Sequence, residues 1–343
     1  MSIVRMPAEW EPHAATWLAW PHNRKDWPGK FTPIPFVYAE IIRRLAPHER
    51  VELIVQDAEA EDKVRKFLAR AGALSANVRF HPWPTDRIWL RDSGCTFVQG
   101  PQGPQGVDWR FNAWAKYDNW QLDEKIATRM AGAAGAAVVR PVAGRRRMVL
   151  EGGSIDVNGR GTLVTTEECL LGTVQQRNPG FAKADYERHF AEHLGIRKVI
   201  WLDRGVTGDD THGHVDDITR FVAADTMVTV VEPDPSDPNH APLQENLRRL
   251  REAVDQDGRP LRIVELPMPG PVHFDGVRLP ASYGNFYIAN GTVLVPVFND
   301  PNDRLALNIL AELFPGREVT GIYAGDLIWG FGAMHCMTQQ QPA

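Results

Sequence analysis

One secondary-structure unit recurs along this chain, and the recurrence limits the folds open to it. Residues 154–157 alternate in polarity, Asn158-Gly159 is a hairpin turn signal, and residues 162–165 read as a second strand. Residues 182–194 then carry Tyr186, Phe190 and Leu194 at helical spacing, Gly195 stops the helix, and residues 198–202 form an apolar strand. The order is strand, strand, helix, strand. It returns over 214–267, with strands at 214–222 and 227–231, a helix at 243–254 and a strand at 261–266. It returns again over 283–324, with strands at 285–288 and 293–298, a helix at 303–314 and a strand at 319–323. A looser copy fits 92–139, with strands near 95–98 and 109–111 and a helix around 122–130. There the Pro101-Gln102-Gly103-Pro104-Gln105-Gly106 run reads as a hairpin tip. The residues before 90 hold strands near 16–20, 51–55 and 78–80, enough for a fifth. Such a unit cannot bury its own faces, so neighbours must share a core. Five units closing into a ring make one α/β domain over residues 1–343, not the two that length alone suggests. An α/β sandwich with a parallel sheet is the alternative; the hairpin that opens every unit counts against it.

Composition narrows the function. The 38 basic and 43 acidic residues leave a net charge of −5, which disfavours nucleic acid and anionic membrane as partners. Arg145, Arg146 and Arg147 form a short basic cluster, read as a solvated hairpin flank. The first residues lack the apolar stretch of a signal peptide, and no run is long enough to span a bilayer, so a soluble cytoplasmic protein is expected. Three cysteines, Cys95, Cys169 and Cys336, lie far apart, which argues against a disulfide framework and for a reducing compartment.

Polar residues recur at one place in the unit, where its first strand begins. The sequence there is Trp89-Leu90-Arg91-Asp92 in one copy, Glu151-Gly152-Gly153 in the next, and Asp209-Asp210-Thr211-His212-Gly213-His214-Val215-Asp216-Asp217 in the next. In a ring these equivalent ends converge on the axis and form one site. On a strand, His214 and Asp216 share a face and Asp217 points away. Each motif also has an ordinary structural reading: His214 capping a strand, Glu151 exposed at a bulge, Asp92 in a surface ion pair with Arg91. A buried apolar thiol is the ordinary reading of any free cysteine and suits Cys95 and Cys169. Cys336 differs, because glycines precede it and Thr338-Gln339-Gln340 follows. His212-Gly213-His214 with its acids has a superficial likeness to a two-histidine metal motif, but no further histidine cluster completes it. No metal or other cofactor is expected.

One thiol, one histidine and several carboxylates together imply a cationic substrate. Guanidinium suits paired carboxylates best, since its planar fork gives each carboxylate two N–H bonds. Its electrophilic carbon lies between those nitrogens, open to a thiolate. With these residues in view, the chain resembles the agmatine deiminase family. That family belongs with the peptidylarginine deiminase-like enzymes in the guanidino-group-modifying superfamily. The resemblance runs along nearly the whole chain. It rests on Met6-Pro7-Ala8-Glu9-Trp10-Glu11-Pro12, Trp89 to Asp92, Glu151-Gly152-Gly153, Thr165-Thr166-Glu167-Glu168-Cys169-Leu170-Leu171, Asp210 to Asp216, Gly284-Asn285-Phe286 and His335-Cys336-Met337-Thr338-Gln339-Gln340. One departure is Gly330-Phe331-Gly332, where the family has three glycines.

The resemblance implies a five-bladed α/β propeller of ββαβ units with pseudo-five-fold symmetry, the pentein fold. It implies Cys336 as nucleophile, Asp92 and Asp216 holding the guanidinium, His214 as general acid and base, and Glu151 hydrogen-bonded to His214. Asp210 aligns with an acid near the substrate's ammonium tail, and Trp89 lies along its methylene chain. These carry-overs favour hydrolysis of agmatine to N-carbamoylputrescine and ammonia, with free or peptidyl arginine as the rival substrate and a homodimer as the expected assembly. A metallohydrolase and a non-catalytic binding module stay open as readings from other classes.

Overall fold

The computed structural model describes residues 4–343. Among them, one strand arrangement appears five times. A central strand pairs antiparallel with a strand on one side and parallel with a strand on the other, and a helix makes the parallel crossover. Thr162–Thr166 pairs antiparallel with Asp156–Val157 and parallel with Lys198–Leu202, reached through the helix Lys183–Leu194. Thr226–Val231 stands likewise between Thr219–Ala223 and Arg262–Pro267, with the helix His240–Glu252 between. Thr292–Val297 stands between Tyr287–Ile288 and Glu318–Tyr323, with the helix Asp303–Leu313. Gly103–Val107 stands between Thr96–Gly100 and Ala137–Val139, with the helix Ile126–Ala133.

The fifth copy joins the two ends of the chain. His13–Ala19 pairs parallel with Arg50–Val55, across the helix Ile34–Leu45, but its antiparallel partner is Gln339–Pro342. Val78–Pro82 then extends this sheet on the far side of Arg50–Val55. The expected strands of the N-terminal unit are therefore present, but its hairpin partner comes from the other end of the sequence. That strand is polar because its side chains have internal partners. Gln341 Oε1 accepts from Trp17 Nε1 at 3.0 Å, and Gln340 Oε1 accepts from an Arg91 guanidinium N–H at 2.6 Å. A buried amide with such a partner avoids most of its desolvation penalty.

Four of the five central strands are buried along nearly their whole length, as in Thr162–Thr166, where every residue is buried, and Thr226–Val231, buried except at its last residue; Gly103–Val107 is buried only at its last two. Central strands covered on both faces read as continuous apolar or threonine-rich runs. The crossover helices put one stripe into these cores, as with Tyr186, Phe190 and Leu194 on Lys183–Leu194. Gly195, left-handed at φ +74°, ends that helix where an L-residue would be strained.

Three sequence expectations need correction. The looser copy has its second strand at Gly103–Val107, not at 109–111, so most of the Pro-Gln-Gly run lies in a strand and only its start forms the turn. The helix expected around 122–130 runs as a 3-10 turn at Asp123–Lys125 followed by Ile126–Ala133. Residues 214–217 are not extended: Val215–Asp217 is a 3-10 turn and the strand starts at Thr219.

Deleting residues 339–343 removes the antiparallel partner of His13–Ala19 and uncovers buried Trp17. The truncated protein should unfold at markedly lower urea concentration than the full chain. An unchanged midpoint would show that the pairing contributes little.

Candidate active site

Each of the five sheets is preceded by a turn, and the five turns meet. Leu90–Ser93 precedes Thr96–Gly100, Gly152–Ser154 precedes Asp156–Val157, and Val215–Asp217 precedes Thr219–Ala223. The loop through Asn285 precedes Tyr287–Ile288, and the short helix Met334–Met337 precedes Gln339–Pro342. Helical or 3-10 geometry, not strand alternation, aims His214 and Asp216 at a common point. It also brings in Asp217, which a strand would have turned away.

Close packing at this point explains a glycine. A Cβ on Gly153 would stand 2.5 Å from His214 Nδ1 and 3.0 Å from both an Asp216 and an Asp92 oxygen. The Glu-Gly-Gly motif thus marks where one turn presses against the side chains of two others.

Cys336 is buried at the wall of a cavity that Trp89, Asp92, Trp114, Tyr117 and Asp210 also line. Its Sγ accepts from Asn285 Nδ2 at 3.1 Å and lies 3.8 Å from Asp216 Oδ2. Burial pushes the thiol well above its ordinary pKa, and the carboxylates of Asp216, Asp217 and Asp92 push it further. Gly332 is wedged between Cys336 and Trp89, with room for no side chain. Phe331 lines the same cavity with φ at +65°, a left-handed backbone that costs a non-glycine residue roughly 1–2 kcal/mol.

Each oxygen of Asp92 already has one donor. Its Oδ2 accepts from Trp114 Nε1 at 2.8 Å and its Oδ1 from the Gly153 amide at 3.0 Å. Burial nevertheless raises it to about 6; nearby His214 and the Trp114 bond oppose the rise, and Asp216 and Glu151 add to it. Asp216 moves the other way. Burial would raise it, but the hydrogen bond and charge of His335 outweigh that and lower it. Its Oδ1 is buried without a hydrogen-bond partner among the described residues.

His214 is buried behind this group, and neither ring nitrogen reaches a hydrogen-bond partner among the described residues. Carboxylates ring it: Asp92 at 3.9 Å and Asp216 at 4.0 Å from Nδ1, and Glu151 at 3.8 Å from Nε2. Burial alone would lower its pKa, but Asp92, then Cys169 and Glu151, hold it well above the usual imidazole value. The hydrogen bond expected from Glu151 to His214 is therefore an approach at 3.8 Å, longer than a bond. Glu151 bonds Arg177 instead, with Nε 3.1 and 3.3 Å from its two oxygens, both side chains fully buried. Burial raises Glu151, but Arg177 and then His214 bring it down to about 2.

Asp210 lines the cavity, as its assignment to a substrate tail requires, but it is not free. Its carboxylate accepts from the Tyr117 hydroxyl at 2.7 Å and pairs with half-exposed Lys116. Trp89, Asp92, Asp210 and Cys336 thus face the cavity, while Asp216, His214 and Glu151 stand behind its wall.

Sequence reasoning did not find Asn285, Arg177, Trp114, His335 or Glu9. Glu9, Asn285 and His335 lie in stretches that carried the resemblance, which was their only signal. Two groups here bring possible metal-ligand atoms within 4.8 Å of one another: Glu151 with Cys169 and His214, and Asp216 with Asp217 and Cys336. Their carboxylates are already turned to other donors, Arg177 on Glu151, His335 on Asp216 and Asn285 on Asp217.

Comparison with known proteins gives the chain a family. Residues 5–342 match the model of the Porphyromonas-type peptidyl-arginine deiminase family. The agmatine deiminase of Pseudomonas aeruginosa strain LESB58 is 38% identical, covering 99% of this chain and 95% of that protein. That of Ectopseudomonas mendocina strain ymp is 37% identical, covering 98% and 95%. A solved structure of the agmatine deiminase of Enterococcus faecalis superposes with a TM-score of 0.90 at 30% identity, covering 99% of this chain and 96% of that one. The chain belongs to the agmatine deiminases of the Porphyromonas-type peptidyl-arginine deiminase family.

Proposed function

We propose that the protein hydrolyses agmatine to N-carbamoylputrescine and ammonia through a covalent intermediate on Cys336. The observation that carries this reading is a buried thiol at a cavity wall with carboxylates on two sides and a histidine behind. It is supported by the agmatine deiminases among the relatives. The five repeated sheets, with the last strand returned to the first sheet, support closure into a five-bladed α/β propeller of one catalytic domain. The site would then sit on its axis.

In this mechanism the guanidinium enters between Asp92 and the free Oδ1 of Asp216, and its positive charge favours the thiolate, the thiol proton leaving to solvent through the cavity. Cys336 Sγ attacks the guanidinium carbon and forms a C–S bond. The C–N bond to one terminal nitrogen breaks, His214 gives that nitrogen a proton, and ammonia leaves a thiouronium. A water then gives its proton to His214 as its oxygen attacks the same carbon. The C–S bond breaks, the remaining hydroxyl proton of the adduct passes to the sulfur to restore the thiol, and the ureido product leaves. Glu151, held by Arg177, stabilises His214 when it carries its proton. Trp89 flanks the chain of methylenes.

The tail ammonium is assigned to Asp210, where it would displace or share with Lys116. Lys116 also gives the rival reading its one specific support, since a substrate carboxylate, as on arginine, would meet a cation there. Product analysis with agmatine, arginine and an arginyl peptide in parallel separates the two. Agmatine should give the ureido product, and Cys336→Ala should abolish its formation while leaving the fold intact. Turnover of arginine alone, or ureido product from the Cys336→Ala variant, would overturn the proposal.

The acid side of the pH profile gives a second test. Asp92 must be ionised to hold the cation, and its raised value of about 6 places the fall of kcat/KM near that pH. The Trp114 donor favours the carboxylate. Trp114→Phe should therefore move the acid limb to higher pH, as read from kcat/KM for agmatine. An unmoved limb, or one moved to lower pH, would remove Asp92 as its origin.

A further inference from the structure

We propose that His335, the residue before the nucleophile, is a positioning residue that fixes Asp216 with one oxygen left unpartnered for the substrate. This deepens the reading above and rests on it. The His335 ring is buried, and each of its nitrogens meets a carboxylate. Nδ1 lies 2.6 Å from Asp216 Oδ2, and Nε2 lies 2.8 Å from Glu9 Oε2. An ionised carboxylate only accepts, so two such bonds require a proton on both ring nitrogens.

Glu9 is itself held as a carboxylate. Its Oε1 accepts from the Ile288 amide at 2.8 Å and lies 2.9 Å from Arg220, and its Oε2 accepts from Arg91 at 3.2 Å. Asp156 completes the group by pairing with Arg220. Glu9 and Asp156 thus pair with Arg91 and Arg220, and a doubly protonated His335 supplies the cation between Glu9 and Asp216. An isolated excess charge at this depth would be costly.

The consequence falls on Asp216. With Oδ2 tied to His335, the carboxylate cannot rotate, and only its unpartnered Oδ1 is left to accept from a guanidinium N–H. His335 is pinned in turn, because its amide donates to Asn285 Oδ1 at 3.0 Å. The same Asn285 donates to Cys336 Sγ. One short helix therefore sets the thiol and the carboxylate relative to each other, and Glu9 ties the N-terminal segment to the site.

The test uses the full chain, with His335→Gln and Glu9→Gln, and nitrogen-15 NMR of the histidine rings. At neutral pH the wild type should show one ring with both nitrogens protonated that His335→Gln removes and Glu9→Gln alters. For agmatine, His335→Gln should raise KM about ten- to hundredfold, the range for a lost hydrogen bond to a charged group, with kcat reduced less. A folded His335→Gln variant with wild-type KM would overturn the proposal. So would the absence of a doubly protonated ring assigned to His335, a readout that needs no turnover and stands even if agmatine proves not to be the substrate.

Discussion

The structure gathers more buried carboxylate around Cys336 than its own cations balance. Asp92, Asp216 and Asp217 all press on the thiol, and His214 shares its surroundings with three acids. Elsewhere in the site each acid has a matched partner: Glu151 has Arg177, and Glu9 has Arg91 and Arg220. At the thiol end Asp216 has His335, while Asp92 and Asp217 bond only neutral donors, Trp114, the Gly153 amide and Asn285. Burial there raises Asp92, and burial with the charges of Asp216 and Asp209 holds Asp217 well above its usual value. A buried anionic cluster of this kind is costly until a cation enters. A guanidinium both relieves that cost and places its carbon beside the sulfur.

The repeat makes this concentration possible. Each unit begins its first strand with a turn, and each turn contributes one element: Asp92, Gly153 with Glu151, His214 with Asp216 and Asp217, Asn285, and Cys336. Positions remote in sequence become neighbours because they occupy the same place in the unit. The central strands Thr162–Thr166, Thr226–Val231 and Thr292–Val297 behind them are buried, so those turns are held from below by well-packed strands, as precise chemistry requires.

The unit, its helices and the convergence of Asp92, Glu151, His214 and Asp216 were legible in the sequence, because hydrophobic period and turn residues are local signals; Cys336 joined them through the resemblance. What was not legible depended on contacts. The strand Gln339–Pro342 reads as polar until Trp17 and Arg91 appear as partners for its amides. The turn at Val215–Asp217 reads as a strand because the residues just beyond it are apolar. Arg177 looks like any surface arginine in the sequence, yet it is fully buried against Glu151. His335 is masked by the more conspicuous cysteine beside it.

Burial, with the neighbouring carboxylates, keeps Cys336 protonated in the free protein. Thiolate absorbance near 240 nm, recorded against pH and corrected with the Cys336→Ala variant, measures this directly. The account predicts no Cys336 thiolate signal at neutral pH without ligand, with ionisation only above the ordinary thiol range. A Cys336 signal already half developed near pH 7 in the free protein would contradict it.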